Sequence, residues 1–198
     1  MGTREPIVTG SAGRGRVTFA FQRQGIRARH LHPRRPRQRT VNRNVEPIRQ
    51  ALSVPLDPER AFDLFTARMD TWWPLDQYSR VVNEHLGGDT LVTGLEFQGE
   101  MGGSILEHTS DGNVLPWGQV VGWDPPREVR MSWRPHSEPE LPTEVAVTFR
   151  ASEDGTLIEL EHRGWERLSE RFREAMYEIY VRGWVTTLGH YSAAAERL

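Results

Sequence analysis

Cysteine is absent from the 198-residue sequence, which excludes disulfides, thiolate nucleophiles and cysteine-ligated zinc or iron-sulfur centres. Lysine is absent too: all 25 basic residues are arginine. No run approaches the roughly 18 consecutive apolar residues of a membrane-spanning helix, and no apolar segment near the start has the form of a secretory signal. A cytoplasmic location is the expectation that follows. What is present suffices for a core, with 37% hydrophobic residues, 26% charged residues and seven tryptophans. The length suits one well-filled domain plus a tail.

The net charge of −2 hides a division within the chain. Residues 1–45 carry 11 Arg against one acid, Glu5, whereas residues 46–198 carry 14 Arg against 26 acids. The first segment is therefore expected to be a disordered, Arg-rich tail, and the second a folded domain. A nucleic-acid arm would use the same guanidinium groups. This segment, however, offers only Phe19 and Phe21 for stacking, and Pro33 and Pro36 interrupt its densest basic cluster. The lysine-free composition also fits a GC-rich coding sequence with a misplaced start and a true start near Val41 or Val45. The glycine spacing of Thr9 to Gly15 does not match a dinucleotide-binding turn, and His30 and His32 have no carboxylate near them in sequence.

From residue 46 the punctuation becomes regular. Ile48, Gln50, Leu52 and Val54 alternate with Arg49, Ala51 and Ser53, a strand with one buried face. Asp57 and Pro58 open a helix whose apolar side holds Ala61, Phe62, Leu64 and Phe65. A short helical turn over Met69 to Pro74 brings Trp72 and Trp73 to one end of the core. About six antiparallel strands follow: Leu91 to Gln98, Ser104 to His108, Trp117 to Trp123, then strands around Val129 to Trp133, Val145 to Phe149 and Leu157 to Arg163. Turns at Gly102-Gly103, Asp111-Gly112, Pro125-Pro126 and Asp154-Gly155 separate most of them. Leu168, Phe172, Met176, Ile179, Tyr180, Trp184, Leu188 and Tyr191 recur at threes and fours in a long amphipathic helix. Such a helix is longer than the domain is wide, so a break near residue 173 or a protruding end is expected. The fold class is α+β: a curved antiparallel sheet of about seven strands wrapped on a long C-terminal helix, with two short helices after the first strand.

This order resembles the START-like helix-grip superfamily, also called SRPBCC, and within it the group named for the activator of the heat-shock-protein-90 ATPase. The residues that carry the resemblance include Pro47-Ile48-Arg49, Trp72-Trp73-Pro74, Gly102-Gly103, Trp117-Gly118, Trp123 with Pro125-Pro126, His162-Arg163-Gly164-Trp165 and Gly183-Trp184. The group often carries a basic residue after the paired glycines. Here Ser104 stands there, so a held charge on the ligand is not implied. The resemblance implies an apolar cavity between sheet and long helix, used across the superfamily for lipids, polyketides and other hydrophobic molecules.

The candidate ligand-binding residues are Trp73, Phe97, His108, Trp117, Trp133, His162, Tyr180 and Trp184. Large inward rings equally make plain core; their number on one concave face favours a pocket. His162 is in phase with Ile158 and Leu160 and is expected to point inward. No metal-ligand spacing, cofactor motif, G-x-S-x-G elbow or catalytic residue emerges. The loop with Pro135, Glu138, Pro139, Glu140 and Pro142 reads as an acidic flap or as ordinary solvated loop. Three functions stay open: binding of a small hydrophobic molecule, an enzyme of cyclase or hydrolase type acting on one, or a co-regulator of a chaperone ATPase. The protein is expected to act as a monomer or homodimer.

Overall fold

The computed structural model describes residues 45–83, 89–134 and 141–198. The Arg-rich tail with its Gly and His stretches, and the flap from Pro135 to Glu140, lie outside the described residues.

The first strand, β1, is Ile48–Val54, with Ile48 and Val54 buried and Arg49, Ala51 and Ser53 exposed. Helix α1, Pro58–Phe65, starts as its sequence dictates. Asp57 Oδ1 accepts the Arg60 backbone N–H at 2.9 Å, and Ala61, Phe62, Leu64 and Phe65 are all buried. A 3₁₀ turn over Met69–Thr71 follows, and Trp72 and Trp73 behind it point into the core. A second short helix, α2, is Arg80–Asn83, a segment with no helical signal of its own.

Six further strands complete the sheet: β2 Val92–Phe97, β3 Ser104–Thr109, β4 Val114–Asp124, β5 Glu128–Trp133, β6 Thr143–Ser152 and β7 Gly155–Arg163. Their order is β1-β7-β6-β5-β4-β3-β2, and every neighbouring pair is antiparallel. Successive hairpins build the sheet outward, and β1 returns to the far side of β7. Val129, Met131, Val145, Val147, Ile158 and Leu160 form its buried face, each at most 1% exposed. Their neighbours in sequence face solvent, the period-two pattern of a half-covered antiparallel sheet.

The terminal helix, α3, is Glu170–Ala195, 26 unbroken residues or about 39 Å. The expected interruption near residue 173 falls earlier. Gly164 turns the chain with φ 88°, Trp165–Arg167 forms a 3₁₀ turn, and Leu168 is extended before Ser169 caps the helix by accepting the Phe172 N–H. Burial along α3 is uneven. All six of its buried residues, Trp184, Thr187, Leu188, Tyr191, Ala194 and Ala195, belong to the C-terminal half.

Candidate functional site

Four tryptophans from four separate elements meet on the buried face of the sheet. Trp73 follows the 3₁₀ turn, Trp117 is on β4, Trp133 ends β5 and Trp184 is on α3. Trp73 stands 5.2 Å from Trp117, 5.6 Å from Trp133 and 5.9 Å from Trp184, and Trp133 stands 5.5 Å from Trp184, ring centre to ring centre. These are edge and tilted contacts of the kind aromatic quadrupoles favour.

Trp117 reaches this cluster through a bulge. In the β3–β4 pairing, Ile105 faces Gly118 and Leu106 faces Pro116, leaving Trp117 as the extra residue. Gly118 beside it runs against β5 so closely that a Cβ there would lie 1.8 Å from the Ser132 carbonyl oxygen.

The indole N–H groups are not equivalent. Trp73 donates to the Tyr78 carbonyl at 2.7 Å, Trp117 to Glu107 Oε2 at 2.8 Å and Trp184 to His162 Nδ1 at 3.0 Å. Trp133 Nε1 is fully buried and has no partner. The only other such side-chain atom among the described residues is Thr148 Oγ1. An unpaired buried donor costs about 1–3 kcal/mol.

His162 points inward as expected and is fully buried. Because Nδ1 accepts from Trp184, the ring proton sits on Nε2 and is donated to Thr143 Oγ1 at 2.7 Å, and Thr143 donates onward to the Trp133 carbonyl at 3.0 Å. Both ring nitrogens are thereby committed. Such an imidazole fixes the positions of Trp184 and Trp133 and has no lone pair left to take a proton from a substrate.

Tyr180, on α3, packs edge-on against His162 at 4.9 Å and against Trp165 at 5.3 Å. Burial pushes its hydroxyl pKa well up. The nearby Trp133 N–H works the other way, although the two groups do not close a hydrogen bond.

Two candidates fall elsewhere. Phe97 is buried but stacks on Trp123 at 6.1 Å, in a second aromatic group with Phe62, Phe149 and Phe65. His108 is a correction: it faces outward, bonded at 3.1 Å to the exposed Glu96. The inward residue at that place is Glu107. Its carboxylate is fully buried and accepts the backbone N–H groups of Arg80 at 2.7 Å and Val81 at 3.0 Å besides the Trp117 indole. Three donors replace the water a carboxylate needs.

The outer face carries a shallow depression of about 440 Å³, floored by Ala51, Ala146 and Thr148. Arg49 pairs with Glu161 at 2.9 Å and Arg150 with Glu159 at 3.1 Å along it, while Arg163 pairs with Glu144. Exposed ion pairs of this kind are worth about 0–1 kcal/mol each and describe a solvated face.

Against known proteins, a family model described as Activator of Hsp90 ATPase homolog 1-like protein matches residues 55–190. No curated protein matches the chain. Among solved structures, a Chromobacterium violaceum protein is similar over 77% of this chain and 99% of its own, at TM-score 0.53 and 17% identity. A Mesorhizobium loti protein matches 76% of this chain and 97% of its own, at TM-score 0.52 and 19% identity. A Nitrosomonas europaea protein matches 77% and 95%, at TM-score 0.52 and 11% identity. At these identities the likeness is one of fold.

Proposed function

The chain belongs to the Activator of Hsp90 ATPase homolog 1-like family, and from that premise we propose that it is a cytoplasmic binding protein for a small hydrophobic molecule, seated between the buried face of the sheet and the N-terminal half of α3. The observation that carries this reading is the uneven burial of α3. From Trp184 onward the helix is closed against the domain. Between Glu170 and Gly183 no residue is fully buried: Phe172, Met176, Tyr180 and Val181 pack only partly buried against the core, and Ile179 is exposed. The four tryptophans pack against one another, so the proposed seat lies beside them, under the partly buried half of α3.

Burial arithmetic supports binding. Each ligand methylene removed from water contributes about 0.8 kcal/mol, so a guest of roughly ten carbons gains about 8 kcal/mol before the cost of association. The doubly committed His162 speaks against an acid-base role for this residue, and for binding over a cyclase or hydrolase that would use it. Native mass spectrometry of protein purified from its own source tests the reading. The expected result is a small organic molecule that leaves on denaturation. Recovery of the bare chain alone, with no enhancement of anilinonaphthalene sulfonate fluorescence on titration, would overturn it.

A further inference from the structure

Residues 75–82 form a strap between Trp73 and β2, and its bonds to the domain converge on the tryptophan cluster. The Trp73 indole N–H holds the Tyr78 carbonyl at 2.7 Å, and the Arg80 guanidinium donates to the carbonyl of Pro116, next to Trp117, at 3.1 Å. Glu107 accepts the Arg80 and Val81 N–H groups together with the Trp117 indole. Toward α3 the strap presents the Tyr78 ring to Gly183, where even an added Cβ would stand 3.9 Å from it. With no side chain at 183, ring and helix touch at that point without interlocking. Gly183 directly precedes Trp184, the first buried residue of α3, so this contact borders the partly buried half of the helix. The strap does not hold itself: α2 has four residues, and a single helical turn closes too few hydrogen bonds to persist alone. Its order depends on the carboxylate that takes its first two N–H groups.

We propose that this strap is the door of the guest site and Glu107 its latch: the guest passes between Tyr78 and α3, and release of the Arg80 and Val81 N–H groups from the carboxylate sets how fast it passes. The inference rests on the ligand-binding reading and adds the route to it. Lifting the strap exchanges two charge-assisted hydrogen bonds for water at the carboxylate, so the open form is a minor one. The latch is closed in the empty and in the occupied protein alike. Weakening it therefore speeds entry and exit together and leaves affinity nearly unchanged, whereas a residue of the seat's wall would change affinity.

The test is stopped-flow fluorescence of anilinonaphthalene sulfonate with the full chain. Arg80→Pro removes one latched N–H at a position where a helix accepts proline, and Arg80→Ala removes only the guanidinium. The proline variant is expected to take up and release the probe about tenfold faster than the alanine variant, the factor that one charge-assisted hydrogen bond supplies. Their dissociation constants should agree within about threefold. The chain contains no cysteine, so Tyr78→Cys with Gly183→Cys can be bridged selectively by dibromobimane. The bridged protein should exchange the probe at least about tenfold more slowly than the same variant unbridged, because the strap can no longer lift. Equal rates for the two Arg80 variants, or for the bridged and unbridged forms, would overturn the inference and leave the binding reading standing. Should Arg80→Pro not fold, the bridged pair decides alone. No probe enhancement by the unaltered chain, with the bare chain alone recovered in native mass spectrometry, would overturn the two together.

Discussion

At the scale of single residues, polar side chains inside the aromatic cluster decide its geometry. His162 accepts at Nδ1 and donates at Nε2, and a glutamine can do the same through its amide oxygen and nitrogen. His162→Gln is therefore expected to cost less than half as much as His162→Leu. The leucine strands the Trp184 N–H and one lone pair of Thr143, and should lower unfolding free energy by about 2–4 kcal/mol. Urea midpoints of the two variants, at unchanged m-value, check the order. Glu107 offers a sharper case because every group facing it is a donor. Glu107→Gln turns one acceptor oxygen into a donor that meets N–H groups. The expected loss is about 2–3 kcal/mol, with a changed near-ultraviolet circular dichroism spectrum as Trp117 loses its partner. An unchanged midpoint would mean that the carboxylate contributes nothing to holding α2. This residue also marks where the sequence stops being legible. Ile105, Glu107 and Thr109 alternate with Leu106 and His108, and neither set is plainly apolar. The inward set holds a carboxylate whose donors come from Trp117, ten residues away, and from Arg80 and Val81, twenty-six or more residues away. Periodicity carries no trace of that pairing, so alternation alone does not say which set of β3 faces inward, and His108 as a candidate could not be placed by it.

At the scale of elements, legibility follows how local the determinants are. Strand β1 and helix α1 could be read directly, since alternation, Asp57 and Pro58 act within a few residues of themselves. Helix α2 could not: it is four residues long and is held by a carboxylate from β3. The start of α3 was also hidden, because Leu168 is helix-compatible by type and only the Gly164 turn and the buried Trp165, which donates to the His162 carbonyl at 3.0 Å, pull the chain out of register. The bulge at Trp117 belongs to the same class. It depends on Gly118 letting β4 approach β5, and the contrast with Gly94 measures this. Alanine at 118 meets the Ser132 carbonyl at 1.8 Å, whereas at 94 nothing lies within 4 Å. Gly118→Ala is expected to destabilise by about 2–3 kcal/mol and to disturb Trp117 emission. Gly94→Ala should be neutral or stabilising by about 0.5 kcal/mol, since a strand glycine gives up more chain entropy than alanine. Similar midpoints for the two variants would refute the close approach as the reason for Gly118.

At the scale of the whole described domain, one long helix packs against a seven-stranded sheet, fully buried only along its C-terminal half. The order of strands and helices was legible because antiparallel hairpins keep sequence neighbours adjacent, and only β1 has to cross to reach β7. How firmly each half of α3 is held was not legible, because Met176, Ile179 and Tyr180 obey the same three-and-four spacing as Trp184, Leu188 and Tyr191. Spacing reports the face of a helix; burial depends on what stands opposite. Behind Trp184 and Tyr191 lie aromatic partners, with Tyr191 5.6 Å from Phe65 and donating to the Ala61 carbonyl at 2.8 Å. The first half is tied mainly through Tyr177, which donates to the Glu46 carbonyl at 3.0 Å, and through ring contacts with Trp165. Opening free energy scales with the buried contacts that must be broken, so backbone amides of residues 176–183 are expected to exchange at least about tenfold faster than those of 188–195. If a guest seats under the first half of α3, saturating anilinonaphthalene sulfonate should slow exchange in the first group and leave the second unchanged, because the second is already closed against the core. Uniform protection along α3 in the free protein would remove the asymmetry on which the binding reading depends, whereas asymmetry that bound anilinonaphthalene sulfonate leaves untouched would move the guest's seat away from this helix.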